Sequence, residues 1–289
     1  MLPFKSKYHL CDLFDVPIYI DISLIFLLLF FATGGGSLFD GLGCALLLLV
    51  SITAHEFGHA LTARSFGHET RDITLSLLGG CASLISLPRK ASQEFLTALA
   101  GPAVSFVLST FGVVWLTSLA AEGSFLDALS YVWAMVLRSF GIKASFACGL
   151  FFLEETSGWL IEMACYLAIM NAVLGLFNLL PGFPLDGGRI FRSLMRSFMP
   201  RAKATYIAMI VGRVVAIGIA LSGLWRLTHG RSWGFVSLLI AWMIWREGYR
   251  EYVMARMESA WDYQDYRAHV SPPPYGGDGD DCDVTRDRN

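Results

Sequence analysis

Apolar runs long enough to cross a lipid bilayer dominate this chain and leave few folds open to it. A helix needs roughly 20 mostly apolar residues to cross about 30 Å of hydrocarbon. Five stretches meet that requirement: residues 16–33, 42–66, 91–120, 157–181 and 204–227. A sixth, 233–250, is shorter and Trp-rich; Trp225, Trp233, Trp242 and Trp245 bracket the last two runs, where interfacial aromatic residues belong. The expected fold is an all-α polytopic membrane protein of six transmembrane helices. Composition agrees, with 55% hydrophobic and 16% charged residues among 289, against about 45–50% and about 25% in soluble domains. A disordered chain, a coiled coil and an ordinary water-soluble enzyme are all poor fits. The net charge of −2 and the lack of a basic block give no reason to expect nucleic acid as a partner. Six scattered cysteines without a C-x-x-C pair form neither a disulfide framework nor a thiolate metal site.

The basic residues orient the spans. With the amino terminus inside, 17 of the 22 Lys and Arg residues fall on the cytoplasmic side, four (Arg138, Lys143, Arg226, Arg231) fall outside, and Arg213 lies within a span. Both termini are therefore expected in the cytoplasm. The first span follows a polar segment (Lys5, Lys7, Asp12, Asp15) without a small-residue cleavage site, which reads as an anchor. Residues 69–88 contain two short alternating runs around Gly79-Gly80 and read as a β-hairpin with Gly-Gly as its joint. Unpaired strand edges cannot face lipid, so this membrane-associated hairpin must lie at the interface or in a protein-lined cavity. Residues 122–155 fit either a re-entrant hairpin or an outer loop. The expected organisation is one domain over 1–258, followed by a disordered cytoplasmic tail at 259–289 rich in Pro, Gly and Asp.

The chemistry concentrates in the second span, which contains His55-Glu56-Phe57-Gly58-His59, an H-E-x-x-H motif. On a helix, positions i and i+4 share one face, so two imidazoles can bind one tetrahedral zinc while Glu56 projects beside them as a general base. From this chain's own His and Glu content, the motif has a chance probability of about 0.4%. Buried ionisable residues are costly in a membrane, and their default reading is functional. A catalytic zinc takes three protein ligands. His9, His68, His229 and His269 are poorly placed for the third. Asp186 is the better candidate, in the Pro- and Gly-broken segment 178–188 that returns to the same cytoplasmic depth. Its competing reading is an N-cap for the helix that follows. Among other polar residues, Asp21 is expected near the headgroups and Glu162 near the outer interface. Arg213 should find a neighbour or a lipid phosphate. Arg189, Arg192 and Arg196 suggest a basic helix face against anionic lipid.

An H-E-x-x-H within one span, followed by N-x-x-P-x-x-P-x-D-G-G in a later one, resembles the site-2 protease family of intramembrane zinc metalloproteases. The Gly-Gly hairpin and Ala100-Gly101-Pro102-Ala103 match that family too, and the likeness covers about residues 10–255. It implies one Zn2+ per chain held by His55, His59 and Asp186, with Glu56 activating water. It also implies that Asn178 is an active-site residue holding the substrate backbone or the oxyanion. The hairpin would offer a strand edge to an unwound substrate. The implied substrates are transmembrane proteins such as membrane-anchored regulators or anti-sigma factors, cleaved in a prokaryotic cell membrane. Ser105 stands where relatives often carry Asn, which leaves it a packing or hydrogen-bonding role. The chain shows no regulatory PDZ-like or cystathionine-synthase-like region. The alternative is a membrane zinc transporter or channel, in which ligands would be stacked along a path.

Overall fold

The computed structural model of the chain describes residues 7–24, 38–76, 79–84, 90–119, 124–139, 158–230 and 234–270. They are mostly helical: α1 (Leu38–Ser65), α2 (Ala91–Leu119), α3 (Phe125–Ser139), α4 (Trp159–Asn178), α5 (Asp186–Met195), α6 (Arg201–Thr228) and α7 (Gly234–Val270). Among the described residues, four helices are long and apolar enough to span a bilayer: Phe39–Ser65, Ala91–Leu119, Trp159–Asn178 and Arg201–Thr228. They coincide with four of the six expected spans. The sixth, 233–250, overlaps α7 from Gly234 onward, and α7 is not among these four.

Small residues let the spans pack closely, as membrane helices require where apolar burial drives little. Ala164, Ala168 and Ala172 recur every fourth residue along α4 and are buried against Val113 and Leu116 of α2 and Val132 and Val136 of α3. Ser109 of α2 donates its hydroxyl to the Ala168 carbonyl at 2.8 Å. At the other side of the bundle, Ala216 of α6 packs on Ala241 and Ile244 of α7.

The first expected span is corrected at its start. Residues Val16–Asp21 form strand β2, which pairs antiparallel with β1 (Lys7–Leu13) across a Phe14-Asp15 turn. A continuous apolar run does not distinguish a buried strand from a helix, and Val16, Ile18 and Ile20 place β-branched residues at a period of two. Ser23 donates its backbone N–H to Asp21 at 2.9 Å just past the strand end. Both turn residues have positive φ, 53° and 59°. Arg64 holds the turn by donating to the Phe14 carbonyl at 2.8 Å, and the Phe14 ring meets Phe57 edge-on at 5.6 Å. Residues 25–33 of that span lie outside the described residues.

The expected 69–88 hairpin is present as β3 (Thr70–Ser76) and β4 (Gly79–Leu84), but Gly79-Gly80 is not its joint. Gly79 pairs with Ser76 and Gly80 with Leu75, so the glycines open the second strand. β2 and β3 are parallel, giving a four-stranded sheet in the order β1-β2-β3-β4. Val16, Ile18, Ile73 and Leu75 bury one sheet face against Ile52, Phe57 and Ala60 of α1.

Three further stretches are described in whole or in part. Within 122–155, residues Phe125–Ser139 form α3, which buries Val132 and Val136 against α2 and α4; residues 140–157 are not described. The tail boundary placed at 259 falls inside α7, which runs to Val270. Arg192 and Arg196 do not form a lipid-facing basic face with Arg189, because both make ion pairs with Glu94 of α2. Arg213 lies 4.6 Å over the ring of Trp245, and Glu162 is exposed.

Candidate metal centre

Four of the five expected site residues meet or adjoin one another. His55 and His59 lie one turn apart on α1, both buried, with ring centroids 4.9 Å apart. Each uses Nδ1 to face away from the other. His59 Nδ1 is 2.7 Å from the Thr97 carbonyl of α2, and His55 Nδ1 is 2.8 Å from Ser105 Oγ. A carbonyl only accepts, so His59 Nδ1 carries a proton and donates it to Thr97, which leaves Nε2 as the nitrogen available to a metal. These contacts turn both Nε2 atoms inward, to 3.2 Å from each other.

Asp186 completes the triangle. Its Oδ2 lies 3.1 Å from His55 Nε2 and 3.2 Å from His59 Nε2. The N-cap reading does not describe it: Leu185 is the N-cap of α5, without a side-chain bond, and Asp186 is the first helical residue. There the positive end of the helix dipole favours a carboxylate. Burial pushes its carboxyl up, but the adjoining His59 and His55 rings outweigh burial and hold it well below the ordinary carboxylate range. Donors arranged tetrahedrally about 2.0 Å from one ion sit about 3.3 Å apart, close to the edges of this triangle. Two imidazoles and an anionic carboxylate are a zinc-type donor set, and among the described residues this is the group that could hold a metal ion. His9 and His229 are engaged elsewhere, with Asp12 and the Trp225 carbonyl.

Close approach explains two glycines. A Cβ on Gly101 would overlap the Nε2 atoms of both histidines, so glycine lets α2 lie directly against the donors. A Cβ on Gly80 would overlap the Glu56 side chain, so the backbone at the start of β4 runs against the general-base candidate. Glu56 itself is 9% exposed. Asn178 is half-buried at the C-terminal end of α4, eight residues before Asp186 in sequence. Ser105 is fully buried and supplies the hydrogen bond allowed to it on sequence grounds. The Thr97 carbonyl was not foreseen, since a backbone acceptor leaves no mark in residue identity. Asn171, fully buried on α4, was also missed; its amide donates to Ser51 Oγ of α1 at 2.9 Å.

A bundle of apolar spans carrying a buried triangle of two imidazoles and one carboxylate defines a membrane-embedded metalloprotein. Residues 43–219 match the model of peptidase family M50, and the chain belongs to that family, the site-2 proteases. It is 36% identical over 207 residues to Rip3 of Mycobacterium tuberculosis, named as a zinc metalloprotease, covering 71% of this chain and 44% of that protein. It is 31% identical over 179 residues to a zinc metalloprotease of Methanocaldococcus jannaschii, covering 62% of this chain and 42% of that protein. The chain thus spans less than half the length of either relative. The solved structure of the site-2 protease from Methanocaldococcus jannaschii shares the fold, with a TM-score of 0.55 and 23% identity over 85% of this chain and 95% of that one.

Proposed function

We propose that this chain is a zinc-dependent intramembrane endopeptidase that cleaves transmembrane segments of membrane-anchored proteins. His55, His59 and Asp186 hold the metal, and Glu56 is the general base. The observation that carries the reading is the inward-facing triangle with edges of 3.1–3.2 Å, its imidazoles fixed by Ser105 and Thr97. Zinc, when bound, supplies a Lewis acid that polarises the scissile carbonyl and makes water acidic enough to attack near neutral pH.

The protein's own groups supply the remaining steps. Glu56 takes the proton of the attacking water and returns it to the leaving amine. Asn178 donates to the developing oxyanion, a contact worth about 3–4 kcal/mol in other hydrolases. A helical substrate hides its carbonyls in i→i−4 bonds and must be extended before attack. β4 ends the sheet order, and Gly80 within it lies against Glu56, so a substrate strand added at that edge comes to the base. The site faces the cytoplasm of a prokaryotic membrane, with both termini on that side. Its substrates are regulators held by single membrane segments, such as anti-sigma factors.

The test is Glu56→Gln. It should retain one zinc per chain by metal analysis and lose cleavage of a transmembrane peptide by at least a hundredfold, the scale of general-base catalysis. Undiminished turnover in that variant removes the mechanism. Zinc flux in proteoliposomes without peptide cleavage would favour a transporter.

A further inference from the structure

A second polar cluster is buried on α5, six residues and about 9 Å of helix rise beyond Asp186. Arg192, 3% exposed, donates Nε to Glu94 Oε1 at 2.7 Å and Nη1 to Glu251 Oε2 of α7 at 2.8 Å. Arg196 donates to the other oxygen of Glu94 at 2.5 Å. The Arg192 guanidinium also lies 4.9 Å above the ring of Phe183, which is itself buried three residues before Asp186. Two positive and two negative groups balance here, and they join α2, α5 and α7.

Burying such charges is weak evidence of stabilisation, because well-packed apolar residues often serve a fold as well. A forked guanidinium does restrict geometry, since few arrangements satisfy both of its arms. Two of the three helices it ties bear on the metal centre: α5 carries Asp186, and α2 supplies the groups that orient the two histidines of α1. Glu94 stands three residues before Thr97, whose carbonyl orients His59, and Arg192 shares the ten-residue α5 with Asp186. The chain enters α5 through a segment broken by Pro181 and Pro184, so α5 needs a brace from outside itself.

We propose that Glu94 and Arg192 are positioning residues for the third metal ligand: their ion pair sets α5 against α2 so that the Asp186 carboxylate closes on the His55–His59 pair. The proposal rests on the metal assignment made above.

The test uses the full chain in detergent, with zinc affinity from chelator competition and the visible absorption of the Co2+-loaded protein as readouts. Arg192→Lys keeps the charge and loses the fork; Glu94→Gln keeps the shape and loses the charge. Each should lower zinc affinity about 10–100-fold, the usual effect of disturbing groups that orient ligands. Each should also weaken and shift the tetrahedral Co2+ bands, in protein that still elutes and shows circular dichroism as wild type. Arg201→Gln, which removes an ion pair with Glu258 at 3.3 Å, should leave both readouts unchanged. Wild-type affinity and spectrum in Arg192→Lys and Glu94→Gln overturn the proposal, as do equal losses in Arg201→Gln. Should Arg192→Lys fail to fold, the same readouts on Glu94→Gln decide the matter. A wild-type chain that binds no zinc overturns the metal assignment itself, and the two failures are thereby distinct.

Discussion

Replacing Ser105 with alanine removes the hydroxyl 2.8 Å from His55 Nδ1 and leaves a buried ring nitrogen without its partner. The ring then loses a contact that holds its aim, while the cavity left by one oxygen atom is small. Ser105→Ala should weaken zinc binding about tenfold, at the low end for such partners. Chelator competition on purified protein checks this, and affinity within twofold of wild type contradicts it. Ser105→Asn should retain more of the affinity than alanine, because an amide supplies the same hydrogen bond. The three groups that meet in the triangle were legible in the sequence because H-E-x-x-H and the broken Asp186 segment carry their chemistry in residue types at fixed spacing. Of the two groups that aim the histidines, both from α2 and 38 and 50 positions away along the chain, Ser105 was legible only as a packing or hydrogen-bonding residue, with no partner assigned to it. The other is a backbone carbonyl, to which any residue could contribute. Gly101 was visible only as part of a pattern; the overlap its Cβ would make with both histidines states why glycine stands there.

Between elements, the α2–α4 contact depends on side chains too small to separate the helices. Ala168 is fully buried, and its carbonyl accepts from Ser109. Ala168→Leu should therefore destabilise the bundle by about 1–3 kcal/mol through overpacking. Zinc affinity of the folded fraction should stay within twofold, because Ala168 touches none of the donors' hydrogen-bond partners described above. Detergent thermal unfolding read alongside zinc titration checks both halves, and an unchanged midpoint contradicts the first. At this scale four spans were legible from apolar length alone. The start of the run at 16–33 was not, because a strand buried on the face of α1 is as apolar as a membrane helix. Gly79-Gly80 misled for a related reason: glycine permits a turn, but here close approach of the Glu56 side chain, and not a reversal of the chain, calls for it at position 80. The ion pairs of Arg192 and Arg196 escaped notice because helical spacing of like charges shows a face without showing what packs on it.

Taken as a whole, the molecule gathers its chemistry at one end of the bundle. The Ser65 end of α1 and the Ala91 end of α2 adjoin the donor triangle, the sheet or the charge cluster, and the Leu179 and Leu180 carbonyls just past α4 come up against Gly187 of α5. In the orientation proposed above most Lys and Arg fall on that same side, and this end would face the cytoplasm. Water and an unwound substrate would then enter from the cytoplasm, where the polar strand edges can be solvated without crossing lipid. Cys11 gives a native probe of this orientation, because it is exposed on β1, the strand at the other end of the sheet from β4. In a variant retaining Cys11 as its sole cysteine, a membrane-impermeant maleimide should label inverted membrane vesicles and leave intact bacterial cells unlabelled. Detergent-solubilised protein should label as fully as the vesicles, which separates shielding by the bilayer from burial in the fold. Labelling of intact cells instead would reverse the bundle, put the sheet and metal centre on the outer side, and remove the cytoplasmic route for substrate.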